Sequence, residues 1–191
     1  LSGLGQFRAA EKLYVELYNS EKTSTNARLL TFFLLSQNKI SQARGLMQEQ
    51  QKNKKSLGWL ALAEATLQMN DGNDSMAMKI LQNVKKYPME YHSALHLEAD
   101  LFYRQGRYLN ALENLDLLSV YTPKDFRAFH LKSLCYLALQ NTDQAFVAVE
   151  KALRLNKSSL LLKMTYSKIL LAKKNFSLAY DISLNLLKKG A

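Results

Sequence analysis

The stretch "YRQGRYLNALENLD", Tyr103 to Asp116, decides the fold. A helical run stops at Gly106, an aromatic follows at Tyr108, and Ala111 comes three residues later. The same punctuation returns every 34 residues, with Ala43, Ala77, Ala145 and Ala179 at the place of Ala111. Twelve residues earlier stands a second small series: Thr31, Ala65, Ala99, Ser133 and Ser167. Small side chains at both places predict close approach of two helices, one on each side of a turn. Gly106 breaks the chain between two antiparallel helices, and Ala111 lets the second lie close to the first.

The turn position itself holds Asn38, Gly72, Gly106, Gln140 and Lys174, mostly polar and turn-tolerant. Two residues on come Ile40, Asp74, Tyr108, Thr142 and Phe176. Aromatics there are expected to staple the second helix to the first, and Asp74 and Thr142 to cap it through a free backbone N–H. Pro88 and Pro123, in "YP" and "TP", sit where the second helix of a unit should end, since proline blocks its continuation. Each unit therefore reads helix, tight turn, helix, loop. The chain is expected to be one array over 1–191: a partial unit 1–23, then full units 24–57, 58–91, 92–125, 126–159 and 160–191. In the partial unit Gly5, Phe7 and Ala10 repeat the pattern, so it reads as a second helix cut at its front edge. About eleven helices are expected, in an excerpt of a longer chain.

Composition agrees with an all-α reading. The 191 residues are 48% hydrophobic, with 7 Gly and 2 Pro. No apolar run approaches the ~20 residues needed to cross a bilayer, so no membrane insertion of this segment is expected. Cytoplasm and periplasm both stay open. The single cysteine, Cys135, lies in the apolar run "LCYLAL" and reads as a small core residue. Net charge is +10, but the basic residues are scattered as pairs such as Lys54-Lys55 and Lys173-Lys174. That pattern describes a solvated surface better than a nucleic-acid stripe.

The pattern resembles the tetratricopeptide repeat family, whose unit of ~34 residues has a small residue in helix A, a turn glycine and an alanine early in helix B. The resemblance covers nearly the whole chain. It is strongest at Ala99, Phe102, Gly106, Tyr108, Ala111 and Pro123, then at Phe129, Ser133, Tyr136, Ala145 and Ala152. Glu64, Glu98 and Lys132 depart from it, standing where the family usually has leucine; Ala63, Leu97 and Leu131, one step earlier, are expected to take over. Gln50 departs too, at a place usually small and apolar.

The resemblance implies helix pairs stacked in a right-handed alpha-alpha superhelix, with an inner wall that holds a peptide or helix of a partner protein. Family positions place Arg28 and Phe32, then Trp59, Leu62, Thr66 and Met69, on that wall. Further along it places His96, Asp100 and Tyr103, then Arg127, His130 and Leu134, then Met164 and Lys168. Trp59 reads either as a partner anchor or as packing against the preceding helix B. One branch of the family clamps acidic chaperone tails with Lys, Asn and Arg. Arg28, Phe32, Thr66, Ser93 and Leu97 stand at those places, so that clamp is absent.

Several constellations have residue types that could carry chemistry. His96 and Asp100 share a helix face, His130 repeats the place of His96, and His92 lies one turn earlier. A metal ion is one use of such a set, but hydrogen bonding to each other or to a peptide is the commoner one. "NDGNDS", Asn70 to Ser75, lacks the spacing and closing glutamate of a calcium loop and reads as a turn. No phosphate loop or nucleophile–base set appears, so neither a cofactor nor an enzyme is expected.

The function expected is a non-catalytic scaffold or adaptor within a larger assembly, bacterial envelope, secretion or polysaccharide machinery being examples. The alternatives are a basic helical-repeat RNA-binding module and a peptide- or ligand-sensing regulator. Nucleic acid is disfavoured because the alanine pattern is tetratricopeptide-like and no helix face is basic in every unit. Self-association through the ends of the array, near Leu184, Leu186 and Leu187, is a further option.

Overall fold

The computed structural model describes residues 2–52 and 57–188. Among these residues stand eleven α-helices and no strand. α1 (Ser2–Ser20) comes first. Five pairs follow: α2 (Ser24–Ser36) with α3 (Ile40–Lys52), α4 (Leu57–Asn70) with α5 (Asp74–Val84), α6 (Tyr91–Arg104) with α7 (Tyr108–Tyr121), α8 (Phe126–Ala138) with α9 (Thr142–Leu155), and α10 (Leu160–Ala172) with α11 (Phe176–Lys188). Pro88 and Pro123 lie just past the ends of α5 and α7, as their chemistry requires. Gly5 is no turn residue, because α1 runs through it. Lys189 and Gly190 lie outside the described residues.

All five turn positions share one backbone state. Asn38, Gly72, Gly106, Gln140 and Lys174 have φ of 57°, 78°, 74°, 59° and 60°. In each, the next residue's N–H reaches back to a carbonyl five residues earlier: Lys39 to Leu34, Asn73 to Gln68, Arg107 to Phe102, Asn141 to Tyr136 and Asn175 to Leu170, at 2.8–2.9 Å. This is the Schellman closure, which satisfies carbonyls that a helix end would leave bare. Three of the five sites hold the left-handed conformation without glycine, so the hydrogen-bonded turn, and not the residue type alone, sets the geometry.

Helix starts differ from the sequence expectation at two places. Asp74 and Thr142 are not caps; they are the first helical residues. In α9 the residue before, Asn141, accepts from the Gln144 N–H. In α5 the Asn73 side chain turns away and donates to Gln68 Oε1. Asp74 and Asp143 still favour their helices by placing negative charge in the first turn. The aromatic staple holds at Tyr108, whose ring lies 5.6 Å from that of Tyr103. It fails at Phe176, which is 64% exposed.

The chain forms two compact units, residues 1–94 and 95–191. In the first, Tyr18 of α1, Ala27, Leu30 and Leu34 of α2, Ala43 and Met47 of α3, and Trp59, Ala63 and Leu67 of α4 make one core. Gln50 is buried there, and its Nε2 donates to the Tyr18 hydroxyl at 3.4 Å, which is how that core tolerates a polar residue. In the second, α9 shows the mechanism plainly. Ala145, Ala148, Val149 and Ala152, spaced i, i+3, i+4, i+7, are its buried face. Both small series are buried throughout, from Thr31 to Ser167 and from Ala43 to Ala179.

The places where leucine was expected are served by polar pairs. Glu98 is buried and accepts from Asn114 Nδ2 at 3.0 Å. Lys132 reaches back to Asp116 and to Ser119 Oγ on α7. Glu64 accepts from Gln68 one turn on. Ala63 and Leu131 are buried beside them, while Leu97 is only half-buried.

Candidate protein-interaction surface

In the second unit the helix-A residues divide by register. Ala99, Ser133 and Ser167 face the core. Three residues before them come His96, His130 and Met164, and one residue after them Asp100, Leu134 and Lys168; these six are half-buried or exposed. A helix places such positions on the flank of its buried stripe, where side chains lean on the core yet keep an open edge.

Local contacts hold this surface. Asp125 caps α8, accepting from the Arg127 N–H at 3.0 Å, and its carboxylate takes two guanidinium contacts at 3.0 and 3.2 Å. Burial opposes the charge on Asp125, but the Arg127 hydrogen bonds outweigh it and hold the carboxyl below its usual range. His130 Nε2 lies 2.9 Å from Thr165 Oγ1, joining α8 to α10. Burial lowers the pKa of both His130 and His96. For His96 the negative charges of Asp125 and Asp100 only partly offset it. Asp100 is engaged by Arg104 at 2.9 Å. The result is a wall of neutral imidazoles, a fixed cation at Arg127, a free ammonium at Lys168 and apolar side chains at Leu134 and Met164.

No three of the described His, Cys, Asp and Glu residues stand close enough together to hold a metal ion. Asp100 and His130 are instead engaged by Arg104 and Thr165, His96 Nε2 is buried without a hydrogen-bond partner, and the His92 ring packs edge-on against Tyr91. Cys135 is buried and its thiol is pushed up to about 12, chiefly by desolvation, so it stays protonated at neutral pH. Asn70 to Ser75 is a plain interhelical turn around Gly72.

In the first unit the family-derived positions are mostly not free. Trp59, Leu62 and Met69 are 2%, 3% and 4% exposed. The Trp59 indole lies in the core shared by α1 to α4, and its N–H donates to Ser24 Oγ on α2 at 3.0 Å. Phe32 leans on the same core from its edge. The Thr66 hydroxyl donates to the Leu62 carbonyl. Arg28 lies 3.9 Å from Glu90, whose carboxylate occupies space a side chain at position 58 would fill; a Cβ at Gly58 would stand 2.6 Å from Glu90 Oε2. Sequence spacing could not separate these residues from those of the second unit, because burial depends on what the neighbouring helix presents.

Solved structures share this architecture. A tetratricopeptide repeat protein from Parabacteroides merdae superposes with a TM-score of 0.65 at 14% identity, covering 98% of this chain and 75% of that one. The chain has the tetratricopeptide-repeat fold. The first tetratricopeptide repeat domain of Spaghetti (RPAP3), solved with the HSP90 peptide SRMEEVD, matches at TM-score 0.58 and 14% identity over 61% of this chain and 93% of that one. Human IFIT1, solved as a dimer with m7Gppp-AAAA, matches at TM-score 0.79 and 12% identity over 95% of this chain and 46% of that one. No family model and no curated protein matches the sequence. Among the described residues no helix is long and apolar enough to cross a membrane.

Proposed function

We propose that this tetratricopeptide-repeat chain is a non-catalytic interaction scaffold, which binds an extended peptide or helix of a partner along the helix-A flank. The observation that carries it is the shared register of His96, His130 and Met164 and of Asp100, Leu134 and Lys168. Mixed apolar, imidazole and cationic side chains stay accessible there beside a buried small-residue seam. Such a mixture suits peptide recognition, where apolar side chains anchor and polar groups hold the backbone. Tyr103 and Arg127 flank the same surface and belong to the proposal. Envelope, secretion or polysaccharide assembly is the kind of setting in which such a scaffold would serve.

Two observations favour a second reading. The net charge is +10, and a structure of the same fold holds capped RNA. One pull-down from lysate of the source decides between them, run with and without RNase. Its control is a double variant, Met164→Glu with Lys168→Glu, in which both altered side chains are exposed. A protein captured after RNase and lost in the variant supports the scaffold. Captured RNA, or proteins that vanish with RNase, supports the second reading. The same proteins on both baits would remove the helix-A flank from the proposal.

A further inference from the structure

The seam between α9 and α10 differs from the one before it. Between α7 and α8, Lys132 closes the seam by reaching Asp116 and Ser119. Thirty-four residues on, those places hold Tyr166, Glu150 and Leu153. There the seam carries a shallow, open depression of about 270 Å³, lined by Glu150, Leu153, Arg154, Lys157 and Tyr166. One wall is apolar: Leu153 is half-buried and the Tyr166 ring lies 5.4 Å from that of Phe146. The rim is basic. Arg154 is held only loosely by Glu150, at 3.6 Å, and Lys157 is exposed.

The volume lies below the ~300–1,000 Å³ typical of small-molecule sites, and suits one side chain better than a cofactor. A single aromatic beside an aliphatic wall offers no stacking platform for successive bases, which argues for a peptide over single-stranded nucleic acid.

We propose that the α9–α10 seam is a docking site for an acidic linear peptide, which seats one apolar side chain against Leu153 and Tyr166 and sets flanking carboxylates on Arg154 and Lys157. Glu150 lies 3.6 Å from Arg154 and offsets part of the positive charge at the rim, leaving Lys157 as the stronger cation there. Burial and the nearby Glu150 raise the Tyr166 pKa, so its hydroxyl remains a donor at neutral pH. None of these residues belongs to the helix-A flank, so the two proposals stand or fall separately.

The test is fluorescence polarisation with a panel of labelled acidic pentapeptides, identical except for the central residue, beside labelled decauridylate. A central Leu or Phe should bind about tenfold tighter than a central Gly or Lys. Arg154→Glu should weaken that binding about tenfold or more, since it replaces attraction by repulsion at the rim. Tyr166→Lys, which copies the closed seam of the preceding repeat, should erase the preference for an apolar centre while leaving Tm within a few degrees. Absence of binding across the panel, indifference to the central residue, or tighter binding of decauridylate would each overturn the proposal.

Discussion

Ser167 on α10 donates its hydroxyl to the carbonyl oxygen of Ala179 on α11 at 3.2 Å. These are the two small positions of the repeat, and here their backbones come close enough for a side chain of one to touch the main chain of the other. A larger group at either place has no room. Ala179→Leu should lower stability by about 1–3 kcal/mol through overpacking. Ser167→Ala removes only the hydroxyl, restores the residue type of Ala65 and Ala99, and should cost about 1 kcal/mol or less. Urea denaturation would show the ordering, and equal effects from the two changes would contradict it.

The five left-handed turns make an internal control. A Cβ at Gly72 or Gly106 would meet nothing within 4 Å, so alanine there suffers from conformation alone. Gly106→Ala should destabilise by about 1–2 kcal/mol. Gln140→Gly, at a φ of 59°, should stabilise by about 0.5–1 kcal/mol once the greater freedom of glycine in the unfolded chain is subtracted. Thermal melts of the two variants should shift in opposite directions.

Thr31 stands in the small series with a buried Oγ1 that has no hydrogen-bond partner. Thr31→Val keeps the shape and removes the orphaned hydroxyl, so it should raise stability by about 1 kcal/mol. A loss of stability in chemical denaturation would mean that the hydroxyl is satisfied in solution.

His96 and His130 give the fold a dependence on acid. Both have folded pKa values below the free value, chiefly through burial. The unfolded chain therefore binds protons that the folded chain refuses, so stability rises with pH. Their contribution is fully present above about pH 6.5 and is lost as pH falls through the folded values. Around His96, Asp125 and Asp100 favour the proton and Arg127 opposes it. The slope of stability between about pH 7 and pH 5 should be shallower in a His96→Gln, His130→Gln variant than in the wild type. An unchanged slope would assign the acid sensitivity to other groups.

Much of the architecture is legible because the repeat reports on itself. One alanine proves nothing, but Ala43, Ala77, Ala111, Ala145 and Ala179 at one spacing state a packing constraint five times over. Proline positions and helix number follow from the same reading. Capping was harder: Asp74 reads as a cap, but the course of the backbone makes it the first helical residue and leaves Asn73 at the cap position without a side-chain cap hydrogen bond. Trp59 shows the limit for sites. Its place in the repeat matches that of an accessible wall residue, yet its indole is buried against α1–α3 and bonded to Ser24.

The sequence by itself determined that the chain is all helix, where the helices turn, and which small residues let them meet, because each is a local or periodic property. The tertiary structure alone decided which members of a repeated position remain open. His130 and Met164 share a register with Leu62, yet Leu62 is buried and Met164 is 48% exposed. It also decided that one seam is bridged by Lys132 while the next carries an open depression beside Tyr166. The physical reason is that exposure belongs to a pair of surfaces, and the second surface is supplied by a helix distant in sequence.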